Sequence, residues 1–236
     1  MTRPYVLLSC SLSLDGYLDN ASDRRLVLSN AADLGRVDRV RAGCDAIMVG
    51  AGTIRSDDPR LVVRSPDLRA ERLARGLPET PAKVTLTDSG RLDPRASFFT
   101  TGATEKLVFA GTSAVPRVRT HLAGAAAVLD GGRRVSMGRV VATLHERGVR
   151  RLMVEGGGQV HTQLLTQGLA DELQLVVAPL FVGDSRAPRF VSDGRFPWDE
   201  QHRAELADVR RIGDVVLLRY ALSERFSDLE EPVRAG

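Results

Sequence analysis

The stretch that decides the fold runs RLMVEGGGQVHTQLLTQ from Arg151 to Gln167. An apolar strand ends at Glu155, breaks into Gly156–Gly158 and opens directly onto a helix. Glycines let backbone N–H groups approach a ligand, and a helix N-terminus adds about half a positive charge. The pattern therefore favours a phosphate-binding turn, although it is neither the G-x-G-x-x-G fingerprint nor a P-loop with its lysine. The alternative is a glycine turn that only packs the helix tightly on the sheet.

Strand and helix patterns alternate outward from this stretch over the whole chain. Several of the strands are nearly all apolar, as expected of strands that helices cover on both faces. This alternation indicates an α/β fold built in layers. The predicted strands are Tyr5–Ser9, Ala46–Val49, Lys83–Thr87, Lys106–Ala110, Ala126–Leu129, Arg151–Val154, Leu173–Ala178 and Val215–Tyr220.

Three helices have clear apolar periodicity, over Asn30–Arg41, Ser136–Arg147 and Gln159–Gln167, with Ser29 or Asn30 as the cap of the first. No periodic helix separates the last two strands, which favours an antiparallel pair and a mixed, mostly parallel sheet. We expect Arg64–Pro81 to form a surface loop or a short helix. The chain is expected to be one domain over residues 1–222, followed by a disordered tail over residues 223–236.

A second glycine-broken strand end lies at Gly50-x-Gly52-Thr53. Thr53 can cap a helix or bind phosphate, and Asp57 follows one turn later. Arg60 and Arg64 offer planar donor forks that suit a substrate phosphate. The alternative is a capped short helix with a solvated charge cluster. For Glu155, hydrogen bonding to sugar hydroxyls or amino groups and a purely structural cap are equally open.

Composition excludes several classes of protein. The 236 residues carry a net charge of +3, and the basic residues form no dense block with interleaved aromatics, so nucleic-acid binding is not expected. Cys10 and Cys44 are too few for a disulfide framework or a zinc site. No apolar run approaches the roughly 20 residues of a membrane-spanning helix, and no signal peptide is visible, so a cytoplasmic protein is expected.

The four histidines give no sign of a metal site. His121, His145, His161 and His202 lie apart from one another and from acids at ligand spacing, so each is expected on the surface. His161 is a partial exception, because it lies in the first turn after the three glycines. No serine is paired with a histidine in the manner of a hydrolase triad.

Several segments match one family in order and spacing. They are Ser13–Gly16, Arg41–Ile47, Gly50–Thr53, Asp57–Arg64, Val154–Gly158, Leu169–Leu173 and Ala178–Gly183. Together they resemble the C-terminal reductase domain of the bifunctional riboflavin-biosynthesis deaminase/reductase, and the stand-alone diaminopyrimidine reductases. The resemblance covers about residues 4 to 222.

This resemblance implies a dihydrofolate-reductase-like three-layer fold, a homodimer, and NADPH as the hydride donor. The implied reaction reduces the ribosyl group of an aminopyrimidine ribose 5′-phosphate to a ribityl group, with hydride delivered to C1′. The sequence lacks the H-x-E and P-C-x-x-C motifs of zinc deaminases, so a separate deaminase is expected.

The resemblance also assigns site residues. Asp57 and Glu155 are the catalytic candidates, and the substrate arginines are expected to face the phosphate. The positions carried over are Leu12, Thr53, Asp57, Ser89, Gly156, Gly157, Gly158, Gln159 and Val160 for the cofactor, with the segment up to Gln163 around its phosphates, and Arg41, Leu61, Arg64 and Glu155 for the substrate.

Two positions depart from the family pattern. Ser9 stands where many members carry a lysine, and Val27 where many carry a tryptophan. These departures keep open a sister reductase that acts on dihydrofolate, a pterin or a secondary-metabolite precursor. A nucleotide-binding regulator without catalysis is a further alternative. Whether the pyrimidine is the amino or the deaminated form does not follow from the sequence.

Overall fold

The computed structural model of the chain describes residues 3–22 and 26–226. Its strands are β1 (Tyr5–Ser13), β2 (Ala46–Gly50), β3 (Ala82–Thr87), β4 (Lys106–Ala110), β5 (Ala127–Asp130), β6 (Arg151–Gly156), β7 (Glu172–Ala178), β8 (Glu205–Ile212) and β9 (Val215–Ala221). Its helices are α1 (Ala31–Ala42), α2 (Ala51–Asp57), α3 (Pro66–Ala74), α4 (Ser97–Thr100), α5 (Val115–His121), α6 (Met137–Glu146) and α7 (Gly158–Thr166).

The strands of the described residues form one nine-stranded sheet in the order β5-β4-β3-β2-β6-β1-β7-β9-β8. All neighbours from β5 to β7 are parallel. β9 runs antiparallel to β7, and β8 runs antiparallel to β9. The prediction of a mixed, mostly parallel sheet that ends in an antiparallel pair is therefore confirmed. Because β6 lies between β2 and β1, the glycine turn after β6 sits near the middle of the sheet.

Helices cover both faces of the parallel part of the sheet, which gives the three expected layers. Alternate strand residues point to opposite faces. On one face Leu8, Met48 and Val154 pack in a cluster with residues of α6 and α7. On the other face Ile47 and Val49 pack with α2, α4 and α5, and Met153 packs against α1.

Some elements differ from the predictions. β1 continues past Ser9 to Ser13, because the polar residues of its second half pair with β7 from Ser9↔Gln174 to Ser13↔Ala178. β8 was not predicted, because its side chains are largely exposed and polar at the sheet edge. The segment Arg64–Pro81 holds the short helix α3, which begins at a Ser65 cap followed by Pro66. Asn30, rather than Ser29, caps α1 by accepting from the Asp33 N–H.

The start of the expected disordered tail is held in place. Ser223 Oγ donates to Asp171 Oδ1 at 2.6 Å, and Arg225 Nη1 lies 3.2 Å from Asp171 Oδ2. Arg3 Nη1 reaches the same carboxylate oxygen at 2.6 Å, so Asp171 ties both chain ends to the sheet. The predicted tail therefore begins with contacts to Asp171, and its residues 227–236 lie outside the described part.

Candidate active site

A cavity of about 1640 Å³ opens where strands β1, β2, β3 and β6 end. Ligands bind at this carboxyl edge in open α/β sheets. Its volume exceeds the roughly 300–1,000 Å³ of a typical small-molecule pocket, so it has room for two ligands side by side. The predicted site residues among its lining are Arg41, Thr53, Asp57, Arg60, Leu61, Arg64, Ser89, Glu155, Gly156, Gly157, Gly158, Gln159, Val160 and Gln163. Leu12 is buried on β1 and is not one of the lining residues.

The glycine turn after β6 has little room for side chains and lines the cavity. Gly156 has a φ of 135°, which favours glycine, and Gly157 caps α7 without a side-chain hydrogen bond. A Cβ on Gly158 would lie 2.4 Å from the Arg189 carbonyl oxygen, so this position has no room for a side chain. The N–H groups of Gly158 and Gln159 at the start of α7 border the cavity and have no hydrogen-bond acceptor among the described residues.

The two glycine-broken strand ends meet. A Cβ on Gly157 would lie 3.1 Å from Thr53 Oγ1, and one on Gly50 would lie 3.0 Å from Val160 Cγ2. The hydroxyl of Thr53 on α2 therefore sits directly beside the glycine turn. One polar wall of the cavity is built from the start of α7 and from Thr53.

Glu155 and Arg41 form a bidentate ion pair at the cavity. Arg41 Nε donates to Glu155 Oε1 and Nη2 to Oε2, both at 2.6 Å, and Nη1 donates to the Val62 carbonyl at 3.0 Å. Burial lowers the pKa of Arg41, but the charge and hydrogen bonds of Glu155 outweigh that effect and raise it. All three nitrogens of Arg41 are engaged by the protein, so the expectation that Arg41 faces a phosphate is not supported by this geometry.

Arg64 is arranged differently from Arg41. Its Nη2 donates to the Leu34 carbonyl at 2.6 Å, and its Nε lies 3.6 Å from Asp38 Oδ1. The Arg64 side chain is 48% exposed, against 14% for Arg41. Arg64 therefore faces the cavity with donors to spare. Asp38 was not among the predicted site residues, because its partners lie 26 positions away in the sequence.

The segment between α2 and α3 is sharply bent. Asp58 and Leu61 both have left-handed backbones, with φ of 43° and 46°, which is uncommon for residues other than glycine. Asp58 accepts from the Ser97 N–H at 2.6 Å and from its hydroxyl at 2.8 Å, which fixes the bend. Leu61 is buried at the cavity wall. The family motif Asp-Asp-Pro-x-Leu thus encodes a fixed turn that lines the site.

Asp57 and Ser89 are the remaining predicted polar residues. Asp57 ends α2, is half-buried, and accepts from Ser56 Oγ at 2.5 Å. Ser89 is exposed, and its carbonyl accepts from Arg117 Nη2 at 2.5 Å. Both lie at the cavity, Asp57 at the end of the helix that follows β2 and Ser89 just after β3.

Both positions that depart from the family pattern line the cavity. Ser9 lies on β1, and Val27 is 74% exposed at the opening. Cys10 and Ser11 beside them also line it and were not predicted as site residues. Burial raises the pKa of the Cys10 thiol, so this cysteine is held as the neutral thiol and not as a nucleophile.

His161 is not on the surface as expected. It is fully buried on α7, and its ring lies 5.3 Å from that of Phe190. Among the described residues, neither ring nitrogen has a partner with hydrogen-bond geometry. Burial lowers the pKa of His161 to about 4, and the backbones of Val154 and Phe190 oppose this effect only in part. His161 is therefore a neutral packing residue beneath the glycine turn.

Two kinds of feature are missing from residues 3–22 and 26–226. No group of three or more His, Cys, Asp or Glu side chains could hold a metal ion there. No helix in the same ranges has the length and apolar character needed to span a membrane.

Comparison with known sequences agrees with this geometry. Residues 4–218 match the model of the RibD C-terminal domain family. The chain is 35% identical to the 2,5-diamino-6-ribosylamino-4(3H)-pyrimidinone 5′-phosphate reductase of Archaeoglobus fulgidus, over 95% of this chain and 99% of that protein. It is 33% identical to the protein of the same name from Methanothermobacter thermautotrophicus, over 93% and 99%.

Comparison with solved structures supports the fold. The chain is similar to Acinetobacter baumannii RibD with a TM-score of 0.75 and 24% identity, over 94% of this chain. It spans 58% of that longer protein. The dihydrofolate-reductase-like fold expected from the sequence is therefore confirmed.

Proposed function

The chain belongs to the RibD C-terminal domain family, and we propose that it reduces 2,5-diamino-6-ribosylamino-4(3H)-pyrimidinone 5′-phosphate in riboflavin biosynthesis. The ribosyl group of this substrate becomes a ribityl group. The observation that carries the proposal is the full-length similarity to two reductases named for this substrate. It favours the diamino form of the pyrimidine over the deaminated form. It also favours this substrate over the dihydrofolate or pterin of a sister reductase.

The residues at the cavity fit a nicotinamide dinucleotide, which we propose to be NADPH. The uncapped start of α7 and the Thr53 hydroxyl offer donors to a diphosphate, and the small glycines leave the backbone accessible. Ser89 lies further along the same edge. When bound, the cofactor supplies the hydride that the reduction requires. Binding and orientation then fall to Gly157–Gln159, Thr53 and Ser89.

The substrate is proposed to lie on the opposite side of the cavity. Arg64 and Arg60 present donors for its phosphate, and Leu61 packs against its pyrimidine or ribose. Arg41 fixes the Glu155 carboxylate, whose oxygens then accept hydrogen bonds from substrate hydroxyl or amino groups. Arg41 acts in this arrangement through Glu155 and not on the phosphate.

The reaction needs one proton in addition to the hydride. As hydride reaches C1′, the bond from C1′ to the ring oxygen gives way, and that oxygen becomes the 4′-hydroxyl by taking a proton. Glu155 is fixed by two hydrogen bonds from Arg41, which suits it to orient the substrate. Asp57 lies at the cavity, forms no ion pair with an arginine among the described residues, and is proposed to pass the proton from water.

We also propose that residues 1–222 form one cytoplasmic reductase domain that assembles as a homodimer. An uncovered apolar strip at the antiparallel end of the sheet supports the dimer. Leu206 and Val209 on β8 and Val216 on β9 are 50%, 53% and 39% exposed. The strand register places them on the same face. Leu206 pairs with Tyr220 and Val209 pairs with Leu218. Tyr220, Leu218 and Val216 follow one another at intervals of two along β9, so their side chains and those of their partners point to the same side.

The experiment that tests the function follows NADPH oxidation at the nicotinamide absorbance band. Purified protein receives the diaminopyrimidinone ribose 5′-phosphate, its deaminated counterpart, or dihydrofolate. Oxidation with the diamino form that collapses in Asp57→Asn and Glu155→Gln supports the proposal. Turnover of dihydrofolate alone would move the chain to a sister reductase. NADPH binding without any turnover would favour a regulator.

A further inference from the structure

One face of helix α1 contacts the segment that carries Arg64 and holds it in place. Leu34, Asp38 and Arg41 lie four and three residues apart, so they share this face. Arg41 Nη1 donates to the Val62 carbonyl at 3.0 Å, and the Leu34 carbonyl accepts from Arg64 Nη2 at 2.6 Å. Asp38 lies between Leu34 and Arg41 on α1 and makes more contacts to this segment than either of them.

The Asp38 carboxylate is buried and accepts from consecutive backbone donors. The Arg64 N–H reaches its two oxygens at 2.8 and 3.0 Å, and the Ser65 N–H reaches Oδ2 at 2.7 Å. Only 5% of the Asp38 side chain is exposed. The backbone of Arg64 is therefore fixed to α1 just before helix α3 begins. A charged acceptor makes these hydrogen bonds stronger than a neutral one.

The Asp38 carboxylate also orients the Arg64 side chain. Nε lies 3.6 Å from Asp38 Oδ1, and Nη2 is bound to Leu34, so one edge of the guanidinium faces α1. Nη1 has no hydrogen-bond partner in the described part of the chain. The planar group thus presents its outer edge to the cavity, where two parallel donors can meet an oxyanion.

We propose that Asp38 is a positioning residue that fixes Arg64 for the 5′-phosphate of the substrate. Asp38 is buried behind Arg64, with its oxygens occupied by backbone donors, so it holds the arginine without meeting the phosphate. The inference rests on the proposed function, because it assigns Arg64 to the phosphate of that substrate. It predicts that loss of Asp38 impairs recognition of the phosphate and leaves the reduction itself intact.

The test compares phosphorylated and dephosphorylated substrate in Asp38→Asn. We expect KM for the phosphorylated form to rise about tenfold, with kcat within about twofold and little change for the dephosphorylated form. Arg64→Gln should give the same pattern, and the double variant should be no worse than Arg64→Gln. Equal losses for both substrates, or additive losses in the double variant, would overturn the proposal.

Asp45→Asn is the matched control. Asp45 also accepts from two consecutive backbone donors, the Arg150 and Arg151 N–H groups, both at 2.8 Å. It lies at the amino end of β2, away from the cavity lining. If Asp38 had a purely structural role, Asp38→Asn and Asp45→Asn would both lower the stability of the protein. Neither variant would then change the ratio of KM for the phosphorylated substrate to KM for the dephosphorylated one.

Two further measurements keep the proposal testable. If Asp38→Asn does not fold, Asp38→Glu retains the charge with a displaced carboxylate, and it should raise KM for the phosphorylated substrate alone. If the wild-type protein reduces no substrate, the proposed function fails, and calorimetry with ribose 5-phosphate tests the site directly. Binding that weakens about tenfold in both Asp38→Asn and Arg64→Gln supports the inference. No binding to the wild type, or equal binding to all three, contradicts it.

Discussion

Arg41 and Glu155 are joined by two hydrogen bonds of 2.6 Å, although 114 positions separate them in the sequence. Both side chains are 14% exposed, so the pair is largely removed from water. The contact connects the end of α1 to the end of β6, directly before the glycine turn. One ion pair therefore orients the carboxylate proposed to hold the substrate and positions the strand end that leads into the cofactor turn.

Removing Arg41 should harm both stability and activity. Arg41→Met leaves the Glu155 carboxylate unpaired, which we expect to lower the free energy of unfolding by about 3 kcal/mol. We expect kcat/KM to fall by about 100-fold because the carboxylate is no longer oriented. Urea unfolding and the NADPH assay measure the two effects. Arg95→Met is the control, since its pair with Asp93 is exposed to solvent and should contribute little to stability. Equal destabilisation by both variants would contradict the assigned importance of the Arg41 pair.

Adding one methyl group at Gly158 should disrupt the glycine turn. The new Cβ in Gly158→Ala would lie 2.4 Å from the backbone oxygen of Arg189, so the turn has to shift. We expect NADPH affinity, measured by calorimetry, to fall by about tenfold or more because the donors at the start of α7 move. In Gly35→Ala, the new methyl group on α1 meets no atom within 4 Å among the described residues beyond its own stretch of helix backbone, and helix propensity predicts a gain of about 0.5–1 kcal/mol. Unchanged affinity in Gly158→Ala would argue against phosphate binding at this turn.

The apolar strip at the sheet end makes a prediction about assembly. Val209→Asp places a charge in the middle of the strip, and burying an unpaired carboxylate in an interface is costly. We expect the variant to elute as a monomer in size-exclusion chromatography with light scattering, while the wild type elutes as a dimer. Leu73→Asp changes an equally exposed leucine on α3 and should leave the dimer intact. A wild-type monomer, or dimers of both variants, would place the interface elsewhere or exclude it.

The elements that the sequence predicted correctly are those with local signals. β2 is apolar along its whole length and β6 is apolar from Leu152 to Val154, because helices cover both faces of the sheet there. α6 and α7 carry an apolar stripe at helical spacing, and a glycine follows each of them closely. The glycine turn and the Gly50–Thr53 segment were identified in the same way, because a glycine-broken strand end is visible without knowledge of its partners.

Features that depend on distant partners were not predictable. β8 forms because it pairs with β9, and its own sequence lacks an apolar run. Lys83 is fully buried on β3, where its Nζ donates to the carbonyls of Phe98 and Thr101 at 3.2 and 2.6 Å. The positioning of Arg64 by Asp38 is of the same kind. A charged side chain has the same sequence signal whether it is solvated or buried against a partner, so its role emerges only with the fold.

Two buried groups, His161 and Asp171, should make stability depend on pH in separate ranges. For Asp171, burial raises the pKa, but hydrogen bonds from Arg3, Ser223 and the Val6 N–H outweigh it and lower the pKa overall. Its stabilisation is present above the usual carboxyl range and is lost only as pH falls below about 4. Burial lowers the pKa of His161 from 6.5 to about 4. The unfolded chain therefore binds a proton at this position at a higher pH than the folded chain does.

The His161 contribution should appear between pH 6.5 and 4, before Asp171 titrates. Full stability is present above pH 6.5, and we expect His161 to account for a loss of about 1 kcal/mol at pH 5.5. Urea unfolding at pH 7.5 and 5.5 measures this loss in the wild type. His161→Leu cannot take up a proton and should abolish that share of the loss, whereas His202→Gln should retain it, because the side chain of His202 is 75% exposed. If His161→Leu loses as much stability as the wild type over this interval, His161 does not stay neutral for the reason given, and another group governs the acid side of the stability curve.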